Sequence, residues 1–104
     1  MDQSAWETVD RLVAWLDRGS ELPADTKTLL QILKITEEAG EVAEAVIGVT
    51  GQNPRKGHSH TWRDVESELC DVIVTAMVAL TRVNPRAREL FGAHLAAVAE
   101  RAQA

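Results

Sequence analysis

Apolar residues recur along the chain at the three- and four-residue spacing of amphipathic helices, and no stretch shows the alternation of a half-buried strand. Four stretches carry the helical spacing, so we predict an all-α chain. The first extends from about Ser4 to Arg18, where Ser4 and Glu7 fit a capping box and Gly19 is a stop signal. Its apolar face consists of Trp6, Val9, Val13 and Leu16.

The second and third helices are predicted from their end signals as well as from their spacing. Asp25 is a plausible N-cap for the second helix, which runs to about Thr50 before Gly51. The hydroxyl of Thr61 can cap the third helix, which has Asp64 at the third position and ends near Val83. The loop of residues 52–60 between them holds a local concentration of positive charge.

The fourth helix is predicted to follow Asn84, with Pro85 at its first position, where proline is favoured. It extends to the C-terminus. One of its sides carries Ala87, Phe91, His94, Leu95 and Val98.

Length and composition indicate one globular domain with a small core. The chain has 104 residues, of which 45% are hydrophobic and 26% are charged. A chain of this length buries a limited core, so association is a natural supplement. The third helix is apolar on most of its circumference between Val72 and Leu80. We therefore predict a four-helix bundle-like chain that assembles as a helical dimer or tetramer.

Charge and targeting signals exclude several classes of protein. The net charge of -5, from 16 acidic against 11 basic residues, argues against nucleic-acid binding, which needs a basic surface. Cys70 has no second cysteine to pair with, and the first residues do not resemble a secretory signal. The aliphatic run of residues 72–80 is far shorter than the ~20 residues that span a bilayer. We predict a cytoplasmic protein with no membrane partner.

Two acidic motifs lie in stretches that otherwise predict buried helices. They are Glu37-Glu38-Ala39-Gly40-Glu41 on the second helix and Glu68-Leu69-Cys70-Asp71 on the third. Buried carboxylates are costly unless a positive charge neutralises them, and clustered acids raise one another's pKa. One pair of acids three residues apart on each helix can converge between the two helices, as in metal-binding bundles. For Glu44, Asp64 and Glu66 we favour a solvated helix face.

The ligand chemistry favours a hard cation. Carboxylate oxygens suit Mg²⁺, or alternatively Mn²⁺. A di-iron bundle site would use Glu-x-x-His, which does not occur in the chain. A zinc site built from His58, His60 and Cys70 is disfavoured because no fourth ligand is evident and Cys70 points away from the acidic stripe.

The motif Glu-Glu-x-x-Glu followed by Glu-x-x-Asp resembles the signature of the MazG-like all-α nucleoside triphosphate pyrophosphatases. The amino-acid sequence of residues 34–45 is also similar to that family, and the resemblance covers about residues 25–83. It implies Mg²⁺-dependent hydrolysis of a nucleoside triphosphate to a nucleoside monophosphate and pyrophosphate, by a homodimer or homotetramer. It also implies that Glu38, Glu41, Glu68 and Asp71 hold the metal, whereas Glu37 orients or deprotonates the attacking water.

Three further residues are candidates for substrate binding. Arg55 and Lys56 can bind the β and γ phosphates, although solvated loop charges are an equally good explanation. Trp62 can stack on a nucleobase, or it can simply pack at the start of its helix. Two other functions stay open: a non-catalytic helical interaction module, and a metal-dependent phosphohydrolase of different bond specificity. The base and the sugar of the substrate are not indicated.

Overall fold

The computed structural model describes residues 2–103, and within that range it contains four α-helices and no β-strand. The predicted all-α class is confirmed. The helices are α1 (Gln3–Arg18), α2 (Ala24–Thr50), α3 (Trp62–Val83) and α4 (Ala87–Ala102). None of the helices in the described range has both the length and the apolar character that crossing a bilayer requires.

The chain divides into two compact units, and α3 contributes to both. One unit contains the described residues up to 22 together with those from 77 onwards, and the other contains residues 23–76. The first unit therefore holds α1, the end of α3 and α4. The second holds α2, the loop after it and the first two-thirds of α3.

The starts of α1 and α2 differ from the prediction. Asp2, not Ser4, is the N-cap of α1, because its Oδ1 accepts the Ala5 N–H at 3.0 Å. α2 is preceded by Pro23, whose side chain makes no capping hydrogen bond. Asp25 thus lies inside the first turn, where its charge favours the positive end of the helix. In both cases the helix starts earlier than the polar residue that was predicted to cap it.

The start of α3 agrees with the prediction, whereas the start of α4 does not. The Thr61 N–H donates to Asp64 Oδ2 at 2.8 Å, and the Asp64 N–H donates to Thr61 Oγ1 at 3.4 Å. These hydrogen bonds from Thr61 lower the pKa of Asp64. Pro85 is not in α4, since the Asn84 side chain accepts the Arg86 N–H at 2.9 Å and holds a turn there.

The core of the first unit is built from the predicted apolar face of α1. Its buried residues are Trp6, Val9, Met77, Val78 and Ala87. The Trp6 and Phe91 rings lie 6.1 Å apart at 53°, a tilted arrangement that aromatic pairs favour. The outer part of the face predicted on α4 is solvent-exposed, namely His94, Leu95 and Val98.

Trp6→Ala is expected to destabilise the protein by about 3–5 kcal/mol, because it removes the largest buried side chain and leaves a cavity. Trp15→Ala is the matched control, since Trp15 is 61% exposed whereas Trp6 is 5% exposed. The control should change the free energy of unfolding by roughly 0.5 kcal/mol or less. Urea unfolding followed by circular dichroism measures both variants. Equal destabilisation by the two would contradict this core assignment.

The second unit is a close pairing of α2 with the first part of α3. Ala45 is fully buried, and Val65 and Thr75 are buried as well. The Gln31 side-chain amide donates to the Thr75 carbonyl at 3.3 Å. This pairing brings acidic side chains of α2 and α3 towards one another.

Candidate functional site

Three of the four predicted metal ligands converge in the second unit. The side chains of Glu38, Glu41 and Glu68 each offer a carboxylate oxygen, and these oxygens all lie within 4.8 Å of one another. Two come from consecutive turns of α2 and the third comes from α3. The structure thus brings together acids that are about 30 residues apart in sequence, as the two-helix prediction required.

The acid group is partly buried, and one of its oxygens has no protein partner. Glu38 is only 8% exposed, and Glu41 and Glu68 are half-buried. Glu68 Oε2 is buried without any hydrogen-bond partner. A buried acceptor that is left unpaired costs free energy, so such an atom calls for an explanation. A divalent cation held by the three carboxylates would provide its partner, and an all-oxygen ligand set suits Mg²⁺ or Mn²⁺.

Electrostatic repulsion within the group is evident at Glu41. The negative charge of Glu38, followed by hydrogen bonding with Glu68, raises the pKa of Glu41 above its usual range. Protons therefore bind Glu41 more tightly in the folded than in the unfolded chain. Its contribution to stability is largest below the unfolded pKa and declines as the pH rises through the folded pKa. A bound cation would offset this repulsion.

Lys34 supplies a positive charge beside the group. Its Nζ lies 3.2 Å from a Glu38 oxygen and 3.6 Å from a Glu37 oxygen. The hydrogen bond to Glu38, together with the negative charges of both glutamates, raises the pKa of Lys34 against a smaller opposing effect of burial. Lys34 was missed in the sequence, although its spacing of four residues from Glu38 is a recognised helical ion-pair signal.

The remaining predicted acids are placed outside the group. Glu37 is exposed and is oriented towards Lys34. Asp71 is exposed, so the expectation that it faces the interior is wrong. Its role as a ligand stays a prediction.

The loop after α2 is tied to the end of that helix. The His58 Nδ1 donates to the Val49 carbonyl at 2.8 Å, and the Ser59 N–H donates to the Gly48 carbonyl at 3.1 Å. Gly51 ends the helix in the left-handed conformation, with φ of 66°. His58 therefore holds the loop against the end of α2.

A cleft of about 380 Å³ lies between α2 and this loop. Its lining residues are Gly40, Ala43, Glu44, Ile47, Gly48, Asn53, Lys56, Gly57 and Ser59. Of the predicted substrate-binding residues, Lys56 lines the cleft, whereas Arg55 and Trp62 do not. Trp62 is 61% exposed at the start of α3. The size of the cleft falls within the range of small-molecule sites.

Sequence reasoning missed the importance of Gly48. A Cβ atom at this position would collide with the imidazole of His60 and would lie 2.5 Å from Ser59 Oγ. Only a glycine therefore allows the loop to lie against α2 and form one wall of the cleft. The available signal was an unexplained glycine inside a helix, where glycine costs roughly 1 kcal/mol relative to alanine.

Gly48→Ala is expected to displace the loop and to destabilise the protein by about 1–3 kcal/mol through overpacking. Gly40→Ala is the matched control on the same helix, because a Cβ there meets nothing within 4 Å. The control should stabilise α2 by up to about 1 kcal/mol through helix propensity. Thermal unfolding of the two variants provides the measurement. Destabilisation of similar size at both positions would refute close contact between Gly48 and the loop.

Comparison with known proteins identifies no relative: no family model, no curated protein and no solved structure matches the chain.

Proposed function

We propose that this protein is a Mg²⁺-dependent nucleoside triphosphate pyrophosphohydrolase that acts in the cytoplasm on the nucleotide pool. The observation that supports this proposal best is the convergence of Glu38, Glu41 and Glu68 around a buried oxygen with no partner. The resemblance of the acidic motifs to the MazG-like pyrophosphatases supplies the reaction. It consists of hydrolysis between the α and β phosphates, which yields a nucleoside monophosphate and pyrophosphate.

The three glutamates would hold the cation through carboxylate oxygens, and Asp71 is the further predicted ligand. When bound, Mg²⁺ neutralises negative charge that develops on the phosphate oxygens. Mn²⁺ has similar ligand preferences and is the alternative.

The chain supplies the remaining chemistry through two side chains. Glu37 is an exposed carboxylate beside the acid group, and it accepts a proton from the attacking water. The water oxygen bonds to the α phosphorus, and the bond to the bridging oxygen breaks to release pyrophosphate. Arg55, exposed on the loop, provides positive charge to the leaving phosphates.

A nucleotide panel tests this proposal. Ribo- and deoxyribonucleoside triphosphates are incubated with the protein and Mg²⁺, and the products are separated by anion-exchange chromatography. We expect equal amounts of monophosphate and pyrophosphate, and none when excess chelator is present. Release of inorganic phosphate would instead identify a phosphohydrolase of different bond specificity. No turnover of any nucleotide would favour the non-catalytic interaction module.

The proposed active form is a homodimer or homotetramer. Large apolar side chains are solvent-exposed on α2 and on the first part of α3, among them Leu29, Leu33, Leu69 and Ile73. Leu29 and Leu33 are four residues apart, as are Leu69 and Ile73, so each pair lies on one face of its helix. Exposed apolar faces mark interaction sites, and a second copy of the chain offers the same faces in return. The wild type is expected to scatter light as an oligomer at micromolar concentration. Leu33→Lys should shift it towards the monomer, whereas Glu100→Gln on α4 should not. A wild-type monomer with full activity would contradict this assembly.

A further inference from the structure

The cleft between α2 and the loop is adjacent to the acid group but chemically distinct from it. Glu44 follows Glu41 by three residues, which is about 4.5 Å along the helix axis. Ala43 and Ile47 give the cleft apolar walls, whereas Glu44 is the acidic side chain among its lining residues. Glu44 and Lys56 carry opposite charges, so the lining has no excess of positive charge and suits the uncharged base of a nucleotide better than its phosphates.

Some polar side chains of the cleft offer hydrogen-bond acceptors, whereas others offer donors. The Glu44 carboxylate offers two hydrogen-bond acceptors, whereas the Lys56 side chain offers donors. The Asn53 carbonyl oxygen already accepts the Arg55 N–H at 3.0 Å, which leaves the Asn53 amide nitrogen as a donor. A complementary ligand therefore presents donors to Glu44 and acceptors to Asn53 and Lys56.

We propose that this cleft binds a guanine base and makes the enzyme selective for guanine nucleotides. Guanine carries two adjacent donors, the ring N1–H and the exocyclic N2 amino group, which match the two oxygens of one carboxylate. Its O6 and N7 are acceptors that lysine and amide donors bind. Uracil would direct a carbonyl oxygen towards Glu44, and hypoxanthine lacks the amino group. Ala43 and Ile47 supply apolar contact to a planar ring.

That the ligand is a nucleotide rests on the proposed function. The test therefore measures binding and does not depend on hydrolysis. Binding of GMP, IMP and UMP is measured by isothermal titration calorimetry in the presence of chelator. The wild type is expected to bind GMP roughly tenfold more tightly than IMP, the size of effect that one bidentate pair produces. UMP should bind more weakly than both.

Glu44→Gln identifies the residue responsible. The amide of glutamine offers one acceptor and places its own donors against those of guanine. We expect GMP affinity to fall by about tenfold while IMP affinity changes little, so that the GMP-to-IMP ratio approaches one. The same substitution at exposed Glu100 on α4 is the control and should leave the ratio unchanged. Circular dichroism confirms that each variant is folded.

The outcomes separate the two proposals. GMP selectivity without hydrolysis of GTP would support the guanine site and overturn the pyrophosphohydrolase. Hydrolysis of nucleotides without GMP selectivity would overturn the guanine site alone. Equal affinity of the wild type for GMP and IMP, an unchanged ratio in Glu44→Gln, or no binding of GMP at millimolar concentration each overturns the guanine site.

Discussion

Glu38→Gln is expected to abolish nucleotide hydrolysis while leaving helical content unchanged. Glu38 is the most buried member of the acid group, and it lies close to both Glu41 and Glu68. Glutamine keeps the shape of the side chain but removes the negative charge that a divalent cation requires. Turnover should therefore fall below detection with saturating Mg²⁺. Steady-state release of pyrophosphate measures the effect.

The same variant should lose its stabilisation by metal. A ligand that binds only the folded chain, present at 100 times its Kd, adds about 2.7 kcal/mol to the free energy of unfolding. We expect Mg²⁺ or Mn²⁺ to raise the Tm of the wild type and of the exposed control Glu100→Gln, but not that of Glu38→Gln. Full turnover by Glu38→Gln, or an undiminished metal-dependent rise in its Tm, would refute the metal centre.

Glu37→Gln is expected to lower kcat by about 10²–10⁴-fold, the usual contribution of a positioned general base. Metal affinity should change little, because Glu37 is exposed and does not belong to the converging acid group. This contrast distinguishes Glu37 from Glu38, its neighbour in sequence. Single-turnover hydrolysis gives the rate, and titration with Mn²⁺ gives the affinity. A large loss of affinity with an intact maximal rate would assign Glu37 to metal binding instead.

The helices and the acid group could be predicted from sequence because both depend on local spacing. Apolar periodicity placed α1 to α4 within a few residues of their ends. The three-residue interval between Glu38 and Glu41 puts both side chains on nearly the same face, whatever the helix packs against. The position of Glu68 beside these two residues follows once α2 and α3 are antiparallel neighbours, and a connecting loop of about ten residues favours that arrangement.

Other features depended on tertiary contacts that spacing alone does not determine. Asp71 is exposed whereas Glu68, three residues earlier on α3, is half-buried, although spacing alone places both on nearly the same face. The cleft could not be predicted from the sequence for a similar reason. It requires the loop to fold back on Gly48, and that path is determined by hydrogen bonds from His58 and Ser59.

The N-cap residues of α1 and α2 were predicted wrongly for a different physical reason. Several polar residues lie near the start of each helix, and any of them can accept a backbone N–H. The choice between Asp2 and Ser4 depends on where the chain turns, not on the chemistry of the side chain. At α3 the predicted cap is correct, and Thr61 and Asp64 satisfy each other's backbone N–H groups.

The position of Lys34 bears on whether the protein folds before or after it binds a cation. Its ammonium already lies against Glu38 and Glu37, so part of the acidic charge is neutralised by the chain itself. Small zinc domains, by contrast, remain unfolded until their metal arrives. We expect this protein to fold first and acquire its cation afterwards. If the proposed cation binds there, chelation should stop catalysis reversibly without unfolding the helices.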